Sequence, residues 1–515
     1  MIKKLLCLSL ALLLLLSFAS CVSSGEETTK TTDTEASSGS ETEQANDDIP
    51  VHEALEKIQG VKSVEIIEPA EGSNTFSKRY LLTFEQPLDW SDPSKGTFPQ
   101  RVAVYISEDA EINVMETQGY CLADYMYDKS LNVLGMDAIA PEMTKLVTKN
   151  GNYINVEHRF FGGSRPDDMS NTDTKYWEYH TPENAANDYH KIYSSLAPVL
   201  GERWVSVGTS RGGLMTNVYA EFYPDDMDVY IPYVAPCSDG LDSDSMYKFV
   251  YEQVGNDVFG EETAAEYRQT VLDYQVELLK AKSLLLGAYA NFVEDQGMKF
   301  QNDLGDYGIL YDLNVLEFAV QIWQNKDNQD FTTLKTLLYM PEDTTEAKAQ
   351  KYDAMFQTFI KVQSPQDWAY NFIAWPYYAN TATYYGQYLY DFSYIRKALE
   401  KEGAADVLSV TEDMDKDIPW CIVFTPEQRE AFVYDGTFRN GLLEDMKTTK
   451  AKHLMIFGAT DPWFSQAVPE EAAKGNDNIK RFVNPDYPHG STISNMPEDM
   501  KNEIIQLLKD WLSIK

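Results

Sequence analysis

Residues Trp204–Met215 read WVSVGTSRGGLM. An apolar run reaches Gly208, Ser210 stands between it and Gly212, and Gly213 follows. The next residues, LMTNVYAEFY, have helical character and stop before Pro224. A strand, a tight glycine-flanked turn and a helix are therefore expected in that order. Glycine on both sides of a serine is what a sharp turn without room for side chains requires. Such a turn lifts the Ser210 hydroxyl above the sheet, and the N–H of Arg211 at the helix start is placed to donate to an oxyanion. The pattern G-x-S-x-G alone is a weak signal, and its weight comes from what flanks it.

Short β-rich runs surround this turn. RYLLTF and RVAVYI read as strands separated by a turn region with Pro87, Asp89, Pro93 and Gly96; INVMET, YINVEH, WVSVGTS and VYIPYVAP follow. Strands alternating with helices indicate an α/β fold with a largely parallel sheet. From about 241 to 430 the chain carries longer helical patterns and many aromatics, and the β signal returns in HLMIFG and IKRFV. The last helix places Met500, Ile504, Leu508, Trp511 and Leu512 on one face. The expected organisation is a core of residues 51–240 and 431–515, interrupted by a helical lid insertion at 241–430. With the Ser210 elbow, this is an α/β-hydrolase core.

A serine nucleophile needs a base, and this fold sets the order nucleophile, acid, histidine. Downstream of Ser210 stand only His453 and His489. His453 begins the strand HLMIFG and reads as structural. His489 lies in NPDYPHGST, after the IKRFV strand, and is the expected base. Asp461, in GATDPW after HLMIFG, is the expected acid, holding the imidazole in its tautomer. The alternative for Asp461 is a simple turn former before Pro462. Gly119 and Tyr120 follow INVMET, and the Tyr120 N–H is the candidate second oxyanion donor; an ordinary strand-ending glycine is the alternative. In VEHRFF, Glu157 is a candidate for a substrate ammonium, against a buried Glu–Arg pair that shapes the loop floor. Trp368, Tyr370, Trp375, Tyr377 and Tyr378 either pack the lid or form a flat wall for a proline ring.

Hydrophobic residues make up 43% of the 515 positions, enough to fill a large core, and the formal net charge is −38. So acidic a surface repels phosphate backbones and argues against nucleic acid as a partner. The chain starts MIKKLLCLSLALLLLLSFASC: two lysines, an apolar run too short for a comfortable membrane span, then small residues before Cys21. Residues 1–21 read as a signal peptide resembling a bacterial lipoprotein box, with Cys21 as the lipidation site; ordinary cleavage near Ala19 is the alternative. Residues 22–50, rich in Ser, Thr, Glu and Asp, read as a disordered tether. The expected location is the extracellular face of the bacterial cell membrane, lipid-anchored. Cys121, Cys237 and Cys421 have no metal-ligand or framework spacing, leaving one bridge or three buried free thiols. With no Walker A, H-E-x-x-H or dinucleotide motif, no metal or cofactor is expected.

The segments QRVAVYI, ETQGY, VEHRFFGGSRP, VGTSRGG, YPDDMDVYIPYVAP, GATDPW and HGS resemble the secreted serine aminopeptidases of the PS-10, or S37, family. That family is similar to the Pro-X carboxypeptidase and dipeptidyl-peptidase II group. The resemblance covers most of the chain after about residue 75 and is weakest in the helical insertion. It implies an α/β-hydrolase core, a helical lid and a triad of Ser210, Asp461 and His489. It also implies peptide substrates and release of short peptides, tripeptides among them, from free N-termini, often after proline. The lipoprotein-like start departs from the secreted members. An esterase or lipase on the same fold and a non-catalytic peptide-binding lipoprotein are the alternatives.

Overall fold

The apolar runs become strands of one nine-stranded sheet: β1 Val61–Ile66, β2 Lys78–Pro87, β3 Thr97–Ile106, β4 Ile112–Thr117, β5 Gly151–Val156, β6 Trp204–Thr209, β7 Val229–Tyr233, β8 His453–Gly458 and β9 Ile479–Asn484. This is a computed structural model, and it describes residues 51–514 apart from 68–75, 123–141, 170–174, 241–242, 296–305, 364–380, 387–389 and 413–432. The expected signal segment and tether with Cys21, the aromatics Trp368, Tyr370, Trp375, Tyr377 and Tyr378, and Cys421 lie outside the described residues. Cys121 and Cys237 are both buried.

The strand order is β1-β2-β3-β5-β4-β6-β7-β8-β9. From β5 to β9 every neighbour is parallel, while β1, β2 and β3 pair antiparallel. Strands β5, β7 and β8 are buried at every position, the signature of parallel strands covered on both faces. Strand β1, VKSVEI, was not expected. Its charged Lys62 and Glu65 break the apolar run, and they suit a strand at the sheet edge.

Helices α1 Val51–Glu56, α2 Pro182–Leu200 and α3 Arg211–Phe222 belong to the core. On one face, Tyr189, Ile192 and Leu196 of α2 and Leu214, Met215 and Val218 of α3 pack with Val102, Val104, Ile154 and Val156 of the sheet. Helix α2 starts at a cap that the sequence carries in TPEN: the Thr181 side chain accepts the Asn184 N–H at 3.1 Å, and Pro182 follows it.

Between β7 and β8 the chain builds α4 Glu261–Lys280, α5 Lys282–Asp295, α6 Tyr307–Gln324, α7 Phe331–Leu338, α8 Thr345–Val362, α9 Ser393–Lys401 and α10 Thr437–Asp445. Helix α6 is buried almost all round and forms the centre of this insertion, with Tyr311, Phe318 and Trp323 fully inside. Among the described residues no helix is long and apolar enough to cross a membrane. The insertion does not pack by itself. Its core is continuous with Leu88 and Phe98 of the β2–β3 region and with Phe160 after β5. The closing helix α11, Glu498–Trp511, covers the opposite sheet face with Ile504 and Leu508 against Val114, Val205 and Ile456.

Strand β4 lies between β5 and β6, so the chain steps to one side of β4 and then returns to the other. In open α/β sheets such a reversal leaves a crevice at the carboxyl ends of the strands, where ligands bind. The loops that follow β4, β6, β8 and β9 hold Tyr120, Ser210, Asp461 and His489.

Candidate active site

Ser210 has φ 58° and ψ −122°, between the end of β6 and the start of α3. A non-glycine residue in this region is strained and persists only where its surroundings hold it. Here the Ser210 N–H donates to the Tyr233 carbonyl at 2.9 Å and its own carbonyl accepts the Leu214 N–H at 3.0 Å. The flanking glycines are needed for space. A Cβ on Gly208 would stand 2.2 Å from the Gly212 carbonyl oxygen, and one on Gly212 would stand 2.7 Å from the Thr117 carbonyl oxygen.

Because β4 and β6 are parallel neighbours, the Gly119–Tyr120 loop lies against the start of α3. A Cβ on Gly119 would meet the Arg211 side chain at 2.7 Å. As the first residue of α3, Arg211 presents an N–H with no acceptor inside the helix. Its side chain does something the sequence reading missed. It is buried, donates from Nε to the Gly119 carbonyl at 2.9 Å, and lies against the rings of Tyr120, Phe161 and Tyr385. Both proposed oxyanion positions are therefore tied together by one guanidinium, and Tyr385 of the insertion covers it.

Asp461 and His489 are brought together: Nδ1 of His489 lies 2.8 Å from Oδ2 of Asp461. Asp461 is 1% exposed, and its Oδ1 accepts the Trp463 N–H at 3.0 Å, capping a short helical turn over Pro462–Gln466. Orienting the imidazole and forming the turn are thus done by one carboxylate. Glu142 holds the histidine loop from the other side. Its carboxylate accepts the N–H groups of Ile493 at 2.9 Å and Ser494 at 2.8 Å, and the Tyr233 hydroxyl at 2.6 Å. Since the Tyr233 carbonyl takes the Ser210 N–H, Tyr233 joins the elbow to the histidine loop. His453 opens β8, at the strand end opposite Asp461, and stacks on Tyr230. Burial pushes its pKa down to about 4 and keeps it neutral.

The VEHRFF residues are all buried. Both oxygens of Glu157 are occupied: Oε1 accepts the Leu122 N–H at 2.8 Å, and Oε2 accepts the Gly163 N–H at 3.1 Å and the Ser164 hydroxyl at 2.7 Å. This geometry supports the loop-shaping role over a substrate ammonium. The guanidinium beside Glu157 belongs to Arg101, at 3.5 Å, whereas Arg159 pairs bidentately with Asp188. The partner of Arg159 stands on helix α2, which the sequence did not reveal. His158 meets the Tyr189 hydroxyl at 2.9 Å and His180 at 3.1 Å, and burial holds both imidazoles well below the usual histidine pKa.

The family model described as PS-10 peptidase S37 matches residues 47–515. The chain is similar to the prolyl tri/tetrapeptidyl aminopeptidase of Streptomyces mobaraensis, 24% identical over 469 residues that cover 90% of this chain and 85% of that protein. Among solved structures it is similar to the proline iminopeptidase of Mycobacterium smegmatis, with TM-score 0.36 and 13% identity over 84% of this chain and 98% of that one. Esterase E22 aligns with TM-score 0.36 and 12% identity over 84% of this chain and 100% of that one.

Proposed function

The chain belongs to the PS-10 peptidase S37 family and is a serine peptidase; from that premise we propose that it is an exopeptidase releasing short peptides from free N-termini through Ser210, Asp461 and His489. The observation that carries the reading is the 2.8 Å contact of His489 with Asp461, in loops that follow the carboxyl ends of their strands, as the strained Ser210 turn does. His489 takes the Ser210 proton through Nε2 as Oγ attacks the scissile carbonyl carbon. Asp461 keeps the Nδ1 proton in place and stabilises the imidazolium that forms. The oxyanion is met by the N–H groups of Arg211 and Tyr120. Collapse of the tetrahedral species expels the amine, which takes its proton from His489. The N-terminal fragment stays on Ser210 as an acyl ester until water, deprotonated by His489, hydrolyses the ester and releases it.

The insertion supports exopeptidase action. Its core reaches Trp463 of the acid loop, and its helix α6 meets the His489 loop. An insertion that roofs the site would admit a chain end rather than the middle of a folded protein. The named activity of the Streptomyces mobaraensis relative supports tripeptide release with a preference for proline. The lipoprotein-like start supports attachment through Cys21 at the outer face of the bacterial membrane. The test is mass spectrometry of products from a library of free and N-acetylated peptides, with and without proline at the third position. Short N-terminal fragments from the free peptides alone are expected. Equal cutting of acetylated peptides would contradict the exopeptidase reading.

A further inference from the structure

The last residue of α6, Gln324, touches both catalytic loops although it belongs to the insertion. Its main-chain carbonyl accepts the His489 N–H at 3.1 Å. Its side-chain Oε1 accepts the indole N–H of Trp463 at 2.9 Å. The first contact uses one of the last helix carbonyls, which have no partner inside the helix. The second reaches a residue with its own place in the site. Trp463 donates its main-chain N–H to Asp461 Oδ1, and its ring lies 6.4 Å from the His489 ring. One turn further along, Gln329 Nε2 donates to the Trp323 carbonyl at 3.0 Å and to Thr460 Oγ1 at 3.2 Å, next to Asp461.

We infer that Gln324 is a positioning residue through which the helical insertion aligns the acid and histidine loops, so that the insertion sets the rate of the chemical step as well as roofing the substrate. The inference rests on the triad reading above. Gln324 acts through Trp463. With the indole held by Oε1, the Trp463 main chain and ring fix Asp461 and flank the imidazole, and a displaced imidazole loses rate steeply because proton transfer depends on heavy-atom geometry. The anchor has a rigid base: α6 runs for 18 residues through the insertion core, and the buried Trp323 precedes Gln324 at its end.

The experiment compares wild type with Gln324→Ala, Gln324→Glu, Trp463→Phe and the Gln324→Ala/Trp463→Phe double variant. It reads kcat and KM on a free-amine peptide and the rate of Ser210 labelling by a fluorophosphonate, which reports nucleophile activation without peptide binding. Thermal unfolding of each variant is followed in parallel. Gln324→Ala keeps the main-chain contact and removes Oε1 with the rest of the side-chain amide, and Trp463→Phe keeps an aromatic side chain but removes the indole donor and part of the ring volume. Each should lower kcat and labelling about three- to tenfold, the worth of one hydrogen bond, with KM within about twofold. The double variant should be no worse than the lower single variant, as expected of residues that act as one unit. Gln324→Glu, which keeps an acceptor oxygen, should recover most of the loss. Wild-type kcat in Gln324→Ala, multiplying losses in the double variant, or a Gln324→Glu as slow as Gln324→Ala would each overturn the positioning role. If Gln324→Ala does not fold, Trp463→Phe with unchanged labelling overturns it. Failure of the triad reading itself is distinct: wild type would then take up no label at Ser210.

Discussion

His489 and Asp461 are joined at 2.8 Å while the second oxygen of the same carboxylate caps the turn at Trp463. A carboxylate fixed at both oxygens cannot swing with the ring it orients, so its geometry is set before substrate arrives. Asp461→Asn should keep the fold, because an amide still accepts at one oxygen, but it should favour the wrong imidazole tautomer. A loss of about 10⁴ in kcat is expected, by analogy with the Ser-His-Asp template. Steady-state kinetics on a free-amine peptide measure it, and a loss below tenfold would remove Asp461 from the triad.

Glu157 provides a second check, because its two roles predict different readouts. With both oxygens accepting from the protein's own donors, Glu157→Gln forces an amide NH₂ against a donor. The melting temperature should fall, in line with about 1–3 kcal/mol for a buried unsatisfied group. The ratio of kcat/KM for free over acetylated peptides should stay within about twofold of wild type. A selective fall in that ratio would give Glu157 the substrate amine instead.

The elbow predicts a contrast between two glycines. Gly208→Ala puts a Cβ 2.2 Å from the Gly212 carbonyl, a backbone atom that cannot rotate away. It should destabilise by about 1–3 kcal/mol and displace Ser210, with at least a hundredfold loss of activity. Gly287→Ala, in α5, meets nothing within 4 Å and should stabilise by about 0.5–1 kcal/mol. Thermal melts and turnover of the two variants test this, and comparable behaviour would contradict the close-packed turn.

What could be read from the sequence was local. The Ser210 turn announced itself because strand, glycines and helix are contiguous, and the buried parallel strands because their runs are mostly apolar. Strand β1 was hidden by the charges that suit it to an edge, and α2 by an interior that mixes polar and apolar residues, although its Thr181-Pro182 start was readable. Residues supporting the site were hidden by distance along the chain. The bond from Trp463 to Gln324 spans 139 positions and that from Ile493 to Glu142 spans 351. No motif links such pairs. The partner of Arg159 was missed for the same reason, since Asp188 reaches it only once α2 is folded against the sheet.

Stability should depend on pH through the buried histidines. The His453 pKa is depressed by burial to about 4 in the folded state, against about 6.5 in an unfolded chain. Below pH 6.5 the unfolded chain binds a proton that the folded chain refuses, so stability is full above 6.5 and is lost as pH falls toward 4. His158 and His180, also depressed by burial, act in the same direction. Between pH 7.5 and 5 His453 alone should cost roughly 2 kcal/mol. His453→Phe, which keeps the stack on Tyr230, should shrink the difference in unfolding free energy between those two pH values by that amount while leaving turnover near wild type. An unchanged pH dependence would contradict a neutral buried imidazole, and complete loss of activity would reopen the choice of base.

The central claim, that Ser210 is the nucleophile of a triad, is tested most directly by peptide mass spectrometry of the protein after reaction with a fluorophosphonate. One adduct per chain is predicted, on Ser210, with peptide cleavage lost in proportion to labelling. His489→Ala should slow labelling by about 10⁴ or more, because the hydroxyl loses its base. An adduct on another residue, or undiminished cleavage in fully labelled protein or in Ser210→Ala, would contradict the account.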